Sequence, residues 1–153
     1  MPSDNVTPFR RPQKKPVAPQ QQGGLGFKTH RGKVVLAHLL TIAAFVLNFF
    51  FSTPPWSFLA LAVAIAAVVL VYANRGEATP WANTHHEHAL RTLIIGYAII
   101  VLIGLLPMIF GALAVITFYV TLAVTIWAVL RAVIALVLGV MRRPIPNPRG
   151  WLV

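Results

Sequence analysis

The sequence has no cysteine and only three acidic residues among 153, against thirteen lysines and arginines. The missing cysteines exclude disulfides, thiolate nucleophiles and cysteine ligands to metals. Three carboxylates are too few for a magnesium site built from several of them, and they argue against a general acid–base pair. No glycine-rich phosphate loop follows a strand pattern, and no serine lies in a nucleophile motif. The sequence therefore predicts a protein that is not an enzyme and carries no cofactor.

Charged residues of either sign are also scarce, at 10% of the chain against 58% hydrophobic residues. Soluble domains carry about a quarter charged residues, so this composition is typical of a polytopic membrane protein. A net charge of +10 could indicate nucleic-acid binding. In a membrane protein the same excess is explained by cytoplasmic loops and anionic lipid headgroups. We therefore expect membrane lipids, and not nucleic acid, as partners.

Four apolar stretches are long enough to cross the hydrocarbon core, which needs about 20 helical residues. The turn at 53–56 holds two prolines, and a proline and a glycine interrupt the chain at 107–111. The sequence thus predicts an all-α fold with four transmembrane helices arranged as two hairpins. Their predicted limits are about 33–52, 56–73, 84–110 and 112–141.

Both ends of the chain are basic and rich in proline. Residues 1–32 contain no apolar run, so we expect a disordered cytoplasmic tail that acts as a lipid tether or as a topology signal. Residues 142–153 are expected to form a basic, proline-rich cytoplasmic tail. The basic side chains expected to face anionic headgroups are Arg10, Arg11, Lys14, Lys15, Arg142 and Arg143.

The charges of the segments outside the predicted helices alternate along the chain. The N-terminal tail, the insert at 74–91 and the C-terminal tail each contain lysine or arginine, whereas the turns at 53–56 and 107–111 carry no charge. By the positive-inside rule, both termini and the insert face the cytoplasm.

The insert is the most polar part of the chain between the tails, with His85, His86, Glu87, His88 and Arg91. On a helix, His85 and His88 share a face, and Glu87 and Arg91 form a favourable i,i+4 pair. His85 and His88 are the candidates for metal binding, but no established zinc spacing accompanies them, and no metal is predicted.

Three interpretations of the insert remain open. It can be a wetted helix start in which Thr84 is the N-cap and Glu87 completes a capping box. Its histidines can instead pair with another helix, or they can take part in proton or metal chemistry.

Arg131 and His38 also fall inside the predicted spans. Arg131 in a membrane helix costs about 2.5–3.5 kcal/mol at the bilayer centre, so it needs a partner. We predict that Arg131 pairs with Glu87 or stacks on Trp127, one turn away. His38 is expected to make a hydrogen bond to a neighbouring helix.

Three short motifs carry a resemblance to a known family. They are P-W-x-x-T-H-x-x-x-x-x-R-T at 80–92, W-x-x-x-R at 127–131 and R-P-I-P-N-P at 143–148. Together they resemble a family of small bacterial membrane proteins of unknown function. That family is similar in its four-helix layout to the chloroplast inner-envelope import component of the Tic translocon.

The resemblance covers roughly residues 33–153 and implies a four-helix protein of the bacterial inner membrane. It implies no reaction. The recurrent polar and turn positions of the family match His85, Arg91, Arg131 and Pro146.

Three functions are compatible with these patterns. The first is a structural or accessory role, in which the helices pack in a larger membrane complex or a homo-oligomer. The second is a transporter or channel component, with Arg131, His38 and the insert lining a path. The third is a membrane anchor that recruits a partner through the basic N-terminal tail.

Overall fold

The computed structural model describes residues 26, 28–76 and 78–151. This part of the chain is helical and contains no strand. The basic residues Arg10, Arg11, Lys14 and Lys15 lie outside the described residues. The helices are α1 His30–Phe50, α2 Trp56–Asn74, α3 Pro80–Gly104, α4 Leu106–Ile109 and α5 Ala114–Val140, with a 3-10 turn at Gly111–Leu113.

Four stretches are long and apolar enough to cross a membrane. They have mean hydropathies of 1.9, 2.4, 2.5 and 2.3 in chain order. The third joins α3 to the short α4, and the fourth joins the 3-10 turn to α5. The prediction of an all-helical fold with four stretches long and apolar enough to span a membrane is confirmed for the described residues. The stretches are His30–Phe50, Trp56–Asn74, Pro80–Ile109 and Gly111–Val140.

The third predicted helix begins a turn earlier than expected, at Pro80 instead of Thr84. Proline suits the first helical position because its missing N–H would have no partner there and its φ is already helical. The predicted capping box is therefore wrong. The Thr84 hydroxyl donates to the carbonyl of Trp81 at 2.7 Å, inside the helix, and Glu87 is bound to arginines instead of the backbone.

The first helix also begins earlier than the predicted position 33. Thr29 is its N-cap, and the Thr29 hydroxyl accepts a hydrogen bond from the Gly32 N–H at 3.1 Å. This bond satisfies one of the backbone donors that a helix start leaves without a partner. The extra turn brings His30 and Arg31 into the helix.

Helices α1 and α3 form the centre of the bundle, because they pack against each other and each packs against both α2 and α5. Within the described part of the chain, α2 and α5 do not contact each other. Small residues permit close approach between helices: a Cβ added at Gly96 would lie 2.4 Å from the Phe45 ring. The main apolar core consists of Ala44, Phe45, Ala64, Ala67, Leu93, Val124 and Ala128.

Helix α5 ends in a turn that reverses the chain. Arg142 has φ 56°, and the N–H groups of Arg142 and Arg143 bond to the carbonyls of Gly139 and Leu138. This pair of bonds is a Schellman motif, with arginine at the left-handed position that glycine usually takes. Residues 143–151, called the strap below, then lie across one end of the bundle.

That end, called the polar end below, is where α1 and α3 begin and where α2 and α5 finish. The Lys33 ammonium donates to the Asn74 side-chain carbonyl at 2.6 Å, which joins the start of α1 to the end of α2. Ile145 of the strap is 1% exposed and forms its apolar contact with the bundle. The polar end therefore has a cover built from the chain's own C-terminal segment.

Candidate functional site

A cluster of buried polar side chains lies beneath the strap. It combines residues of α1, α3 and α5, so only the folded bundle assembles it. All four of its histidines have no exposed surface, and its arginine is 4% exposed. The cluster, called the histidine cluster below, consists of His38, His85, His86, His88, Thr92 and Arg131.

This burial makes the predicted wetted helix start wrong. The histidines of the insert were expected at the first exposed turn of the third helix. Because α3 begins at Pro80, they occupy its second and third turns instead. The strap then covers the side that would otherwise face water.

A hydrogen-bonded chain joins α1, α3 and the strap through two of the histidines. His38 Nε2 lies 3.1 Å from His85 Nδ1, and His85 Nε2 lies 2.8 Å from the Arg143 carbonyl oxygen. A carbonyl oxygen only accepts, so His85 Nε2 carries a hydrogen. In neutral His85, Nδ1 then accepts from the N–H of His38 Nε2. The predicted interhelical hydrogen bond of His38 is confirmed.

The remaining ring nitrogens of the histidine cluster lack partners. Both nitrogens of His86, both of His88, and Nδ1 of His38 are buried without a hydrogen bond among the described residues. Leaving such a group buried costs about 1–3 kcal/mol, so cores usually avoid it. The concentration of five such atoms at one end marks this cluster as the place where polar chemistry is possible.

The structure does not bring His85 and His88 into a larger set of ligands. Across the described ranges, no group of three or more His, Cys, Asp or Glu side chains could hold a metal ion. The metal interpretation of these two residues therefore gains no support from the geometry of the described chain.

Arg131 is held by the strap and by α3. Its Nε donates to the Thr92 hydroxyl at 2.8 Å, and its Nη1 donates to the Gly150 carbonyl. Its guanidinium carbon lies 5.5 Å from the centre of the Trp127 ring. The predicted stacking on Trp127 is confirmed. Backbone and hydroxyl acceptors thus help to offset the cost of burying this charge.

The alternative partner predicted for Arg131 was Glu87, and that pairing is wrong. The Glu87 carboxylate binds Arg91 Nε at 2.7 Å and Arg75 Nη2 at 2.9 Å. Both arginines are substantially exposed, so Glu87 lies at the rim of the polar end and not beside the buried guanidinium. The i,i+4 pair of Glu87 with Arg91 is confirmed.

Several contacts that hold the strap were missed by reasoning from the sequence. The Ile145 N–H donates to the Thr84 hydroxyl at 3.0 Å, and the Trp127 indole donates to the Trp151 carbonyl at 2.9 Å. Gly139 was also missed. A Cβ there would lie 2.7 Å from Val34 and 3.5 Å from the His85 ring. A glycine inside a long apolar helix was the available signal of close packing.

Comparison of the chain with protein-family models, curated proteins and solved structures gave no match.

Proposed function

We propose that the protein is a small integral membrane protein with an accessory role, packing its helices in a larger membrane complex or a homo-oligomer. We further propose that it lies in a bacterial inner membrane as two helical hairpins, with both termini and the polar end in the cytoplasm. Support for this orientation comes from the alternation of basic and uncharged segments along the chain. From the three sequence motifs we also propose a relationship to the small bacterial membrane proteins whose four-helix layout is similar to the Tic import component.

A groove between α2 and α3 is the observation that best supports packing. It has a volume of about 390 Å³, and its floor contains the small residue Ala64. Lipid tails are as apolar as leucine side chains, so membrane helices associate mainly where small residues permit close contact. Residues that line the groove include Leu61, Ala64, Ile65, Val68, Leu93 and Tyr97.

Helix α2 is also less covered than the first and fourth spans, each of which is 33% buried. Its inward face is formed by alanines and one valine, and the window that defines the span is only 22% buried. Its contacts within the described chain are with α1 and α3 alone. A helix from another subunit or another copy would cover the face that the protein leaves open.

Affinity capture tests this proposal. The tagged protein is extracted in mild detergent, and co-purifying proteins, including untagged copies, are identified by mass spectrometry. Ile65→Trp should fill the groove, and Ile134→Trp, on a similarly exposed position of α5, is the matched control. We expect the partner to be lost with the first variant and kept with the second. Capture of neither a second copy nor another membrane subunit by the unaltered protein would contradict the proposal.

A transporter or channel component is the second candidate, and the unpaired histidine nitrogens beside Arg131 favour it. Against it, the buried core beyond the polar end is formed by apolar residues such as Phe45 and Leu93. A single copy thus offers no continuous polar path through the described residues. Flux measured in liposomes, with the unaltered protein and Arg131→Ala, tests this function. Absence of flux with both proteins would count against a transporter or channel role.

A membrane anchor that recruits a partner through its basic N-terminal tail is the third candidate. Arg10, Arg11, Lys14 and Lys15 of that tail lie outside the described residues. Deletion of residues 1–25, which leaves the Thr29 cap of α1 in place, would test it. Loss of a captured partner, with an unchanged thermal midpoint of the bundle, would favour the anchor over helix packing.

A further inference from the structure

We propose that the polar end carries a binding site for a phosphate group, between the starts of α1 and α3 and the end of α5. A cavity of about 260 Å³ opens there, apart from the histidine cluster and from the groove between α2 and α3. Its lining is His30, Arg31, Thr79, Trp81 and Arg142. The site is independent of the proposed packing role.

The charge of the cavity favours an anion. Two guanidinium groups line it, and none of its lining residues in the described part of the chain carries a carboxylate. In the described part of the chain, both ion pairs use Glu87, which lines a different cavity together with Arg75 and Arg149. Arg31 and Arg142 therefore have no carboxylate partner among the described residues. Arginine presents a planar fork of donors that matches the oxygens of a phosphate.

Two atoms of the lining are buried without a hydrogen-bond partner. They are Nε of Arg31 and the hydroxyl oxygen of Thr79. Arg31 Nε can only donate, and the Thr79 hydroxyl can donate as well, so an acceptor in the cavity would satisfy both. Phosphate oxygens are such acceptors. The positive ends of the α1 and α3 dipoles lie at the same place and favour the same sign of charge.

Arg142 reaches the cavity because of the turn that ends α5. Its backbone is in the left-handed region, which costs a non-glycine residue roughly 1–2 kcal/mol. Glycine would make the same turn without that cost but would bring no guanidinium. Arg143, the next residue, has its side chain outside the cavity lining. The two adjacent arginines thus provide a matched pair for an experiment.

The cavity is large enough for a phosphate group with bound water, since one water occupies roughly 30 Å³ in the liquid. Trp81 adds an aromatic wall of the kind found at the headgroup level of membranes. The phosphate can belong to an anionic phospholipid or to a soluble phosphate compound. These sources share the same recognition chemistry and are separated by the test.

The first arm measures lipid binding. Full-length protein is placed in nanodiscs of phosphatidylcholine with and without phosphatidylglycerol, and retained lipid is counted by native mass spectrometry. We expect phosphatidylglycerol to be retained preferentially by the unaltered protein and by Arg143→Gln. Arg31→Gln and Arg142→Gly should each weaken this retention about tenfold, as expected for the loss of a charge-assisted hydrogen bond.

The second arm measures free phosphate. The same four proteins in a neutral detergent are titrated with inorganic phosphate, with chloride at equal ionic strength as the control, and the thermal midpoint is recorded. A phosphate-dependent rise that needs Arg31 and Arg142 but not Arg143, without selective lipid retention, would assign the site to a soluble phosphate compound. Selective lipid retention without that rise would assign it to a phospholipid.

Arg142→Gly should fold normally, because glycine removes the backbone strain at this position. Its thermal midpoint without ligand should therefore be no lower than that of the unaltered protein, so a loss of binding by this variant cannot be attributed to misfolding. The proposal is overturned if neither phosphatidylglycerol nor phosphate binds. It is also overturned if Arg143→Gln weakens binding as much as Arg31→Gln and Arg142→Gly do, since that result would show general attraction to a basic surface.

Discussion

Truncating Ile145 should loosen the attachment of the strap to the bundle by an amount that can be estimated from the structure. Ile145 is the strap's buried apolar anchor, at 1% exposure, and the Ile145 N–H is bound to the Thr84 hydroxyl. Ile145→Ala keeps that backbone bond but removes the anchor's side-chain packing. Truncating a buried isoleucine to alanine costs about 2–5 kcal/mol. We expect the lower end, about 2 kcal/mol, because a strap can settle into the space more easily than a helix.

Trypsin measures this loss directly. The Arg149–Gly150 bond lies in the strap, and the Gly150 carbonyl is held by Arg131. Cleavage should therefore require the strap to open, and its rate then follows the population of the open form. A loss of about 2 kcal/mol raises that population about 25-fold, at tenfold for each 1.4 kcal/mol. Ile145→Ala should speed cleavage at Arg149 by this factor while the thermal midpoint of the helices changes little.

Two controls make the result interpretable. Ile134→Ala, on an exposed face of α5, should leave the cleavage rate unchanged. Synthetic peptides of residues 140–153 with isoleucine or alanine at position 145 should be cut equally fast, because the substitution lies four residues from the scissile bond. Equal cleavage rates for the full-length protein and Ile145→Ala would refute the strap's attachment to the bundle.

Two further substitutions test the packing and the ion pairs. Gly96→Ala should lower the thermal midpoint in detergent, because overpacking against Phe45 costs about 1–3 kcal/mol. Gly104→Ala is the control, since there is open space around Gly104, and it should leave the midpoint unchanged. Equal midpoints for the two variants would contradict the close contact between Gly96 and Phe45. Glu87→Gln should lower the free energy of unfolding by at most about 1 kcal/mol, because the ion pairs of Glu87 lie at the rim of the polar end. Arg131→Gln should lower it by more, because Arg131 is buried and hydrogen-bonded. In the double variant the two losses of stability should add within about 0.5 kcal/mol. A larger coupling energy would show that Glu87 and Arg131 interact after all.

The strap and the histidine cluster show which features sequence patterns contain and which they do not. The four long apolar helices follow from hydropathy, because each must satisfy its backbone hydrogen bonds within itself. The burial of Ile145 does not, because it depends on the reversed chain returning to α3 in the folded bundle. No periodic signal marks a single isoleucine among prolines.

The error at the start of α3 had a local cause. Thr84 and Glu87 fit a capping box, but Thr79 followed by Pro80 is an equally good start signal. One additional turn moved the histidines from the rim into the core. Their rotation toward α1 was then set by packing, so His38 could be predicted to pair but not to pair with His85.

The Glu87–Arg131 prediction failed for a related reason. Both residues lie at the polar end, so depth alone made them suitable partners. The strap, however, delivers a backbone carbonyl to Arg131, and Thr92 supplies a hydroxyl from α3. Glu87 faces the loop after α2, where Arg75 is available. Depth in the membrane can be read from the sequence, but the direction in which a side chain points around a helix requires the packed bundle.

The accessory role is tested most directly by the composition of the particle in its own membrane. Membranes that contain two differently tagged copies, one of them expressed at native level, are dissolved into polymer-bounded discs without detergent. Single discs are then weighed by mass photometry and their proteins identified by mass spectrometry. The account predicts that nearly every disc holds a second copy or a distinct membrane subunit, and that Ile65→Trp removes it while Ile134→Trp does not. Discs that hold a single copy of this chain and no other membrane protein would contradict it.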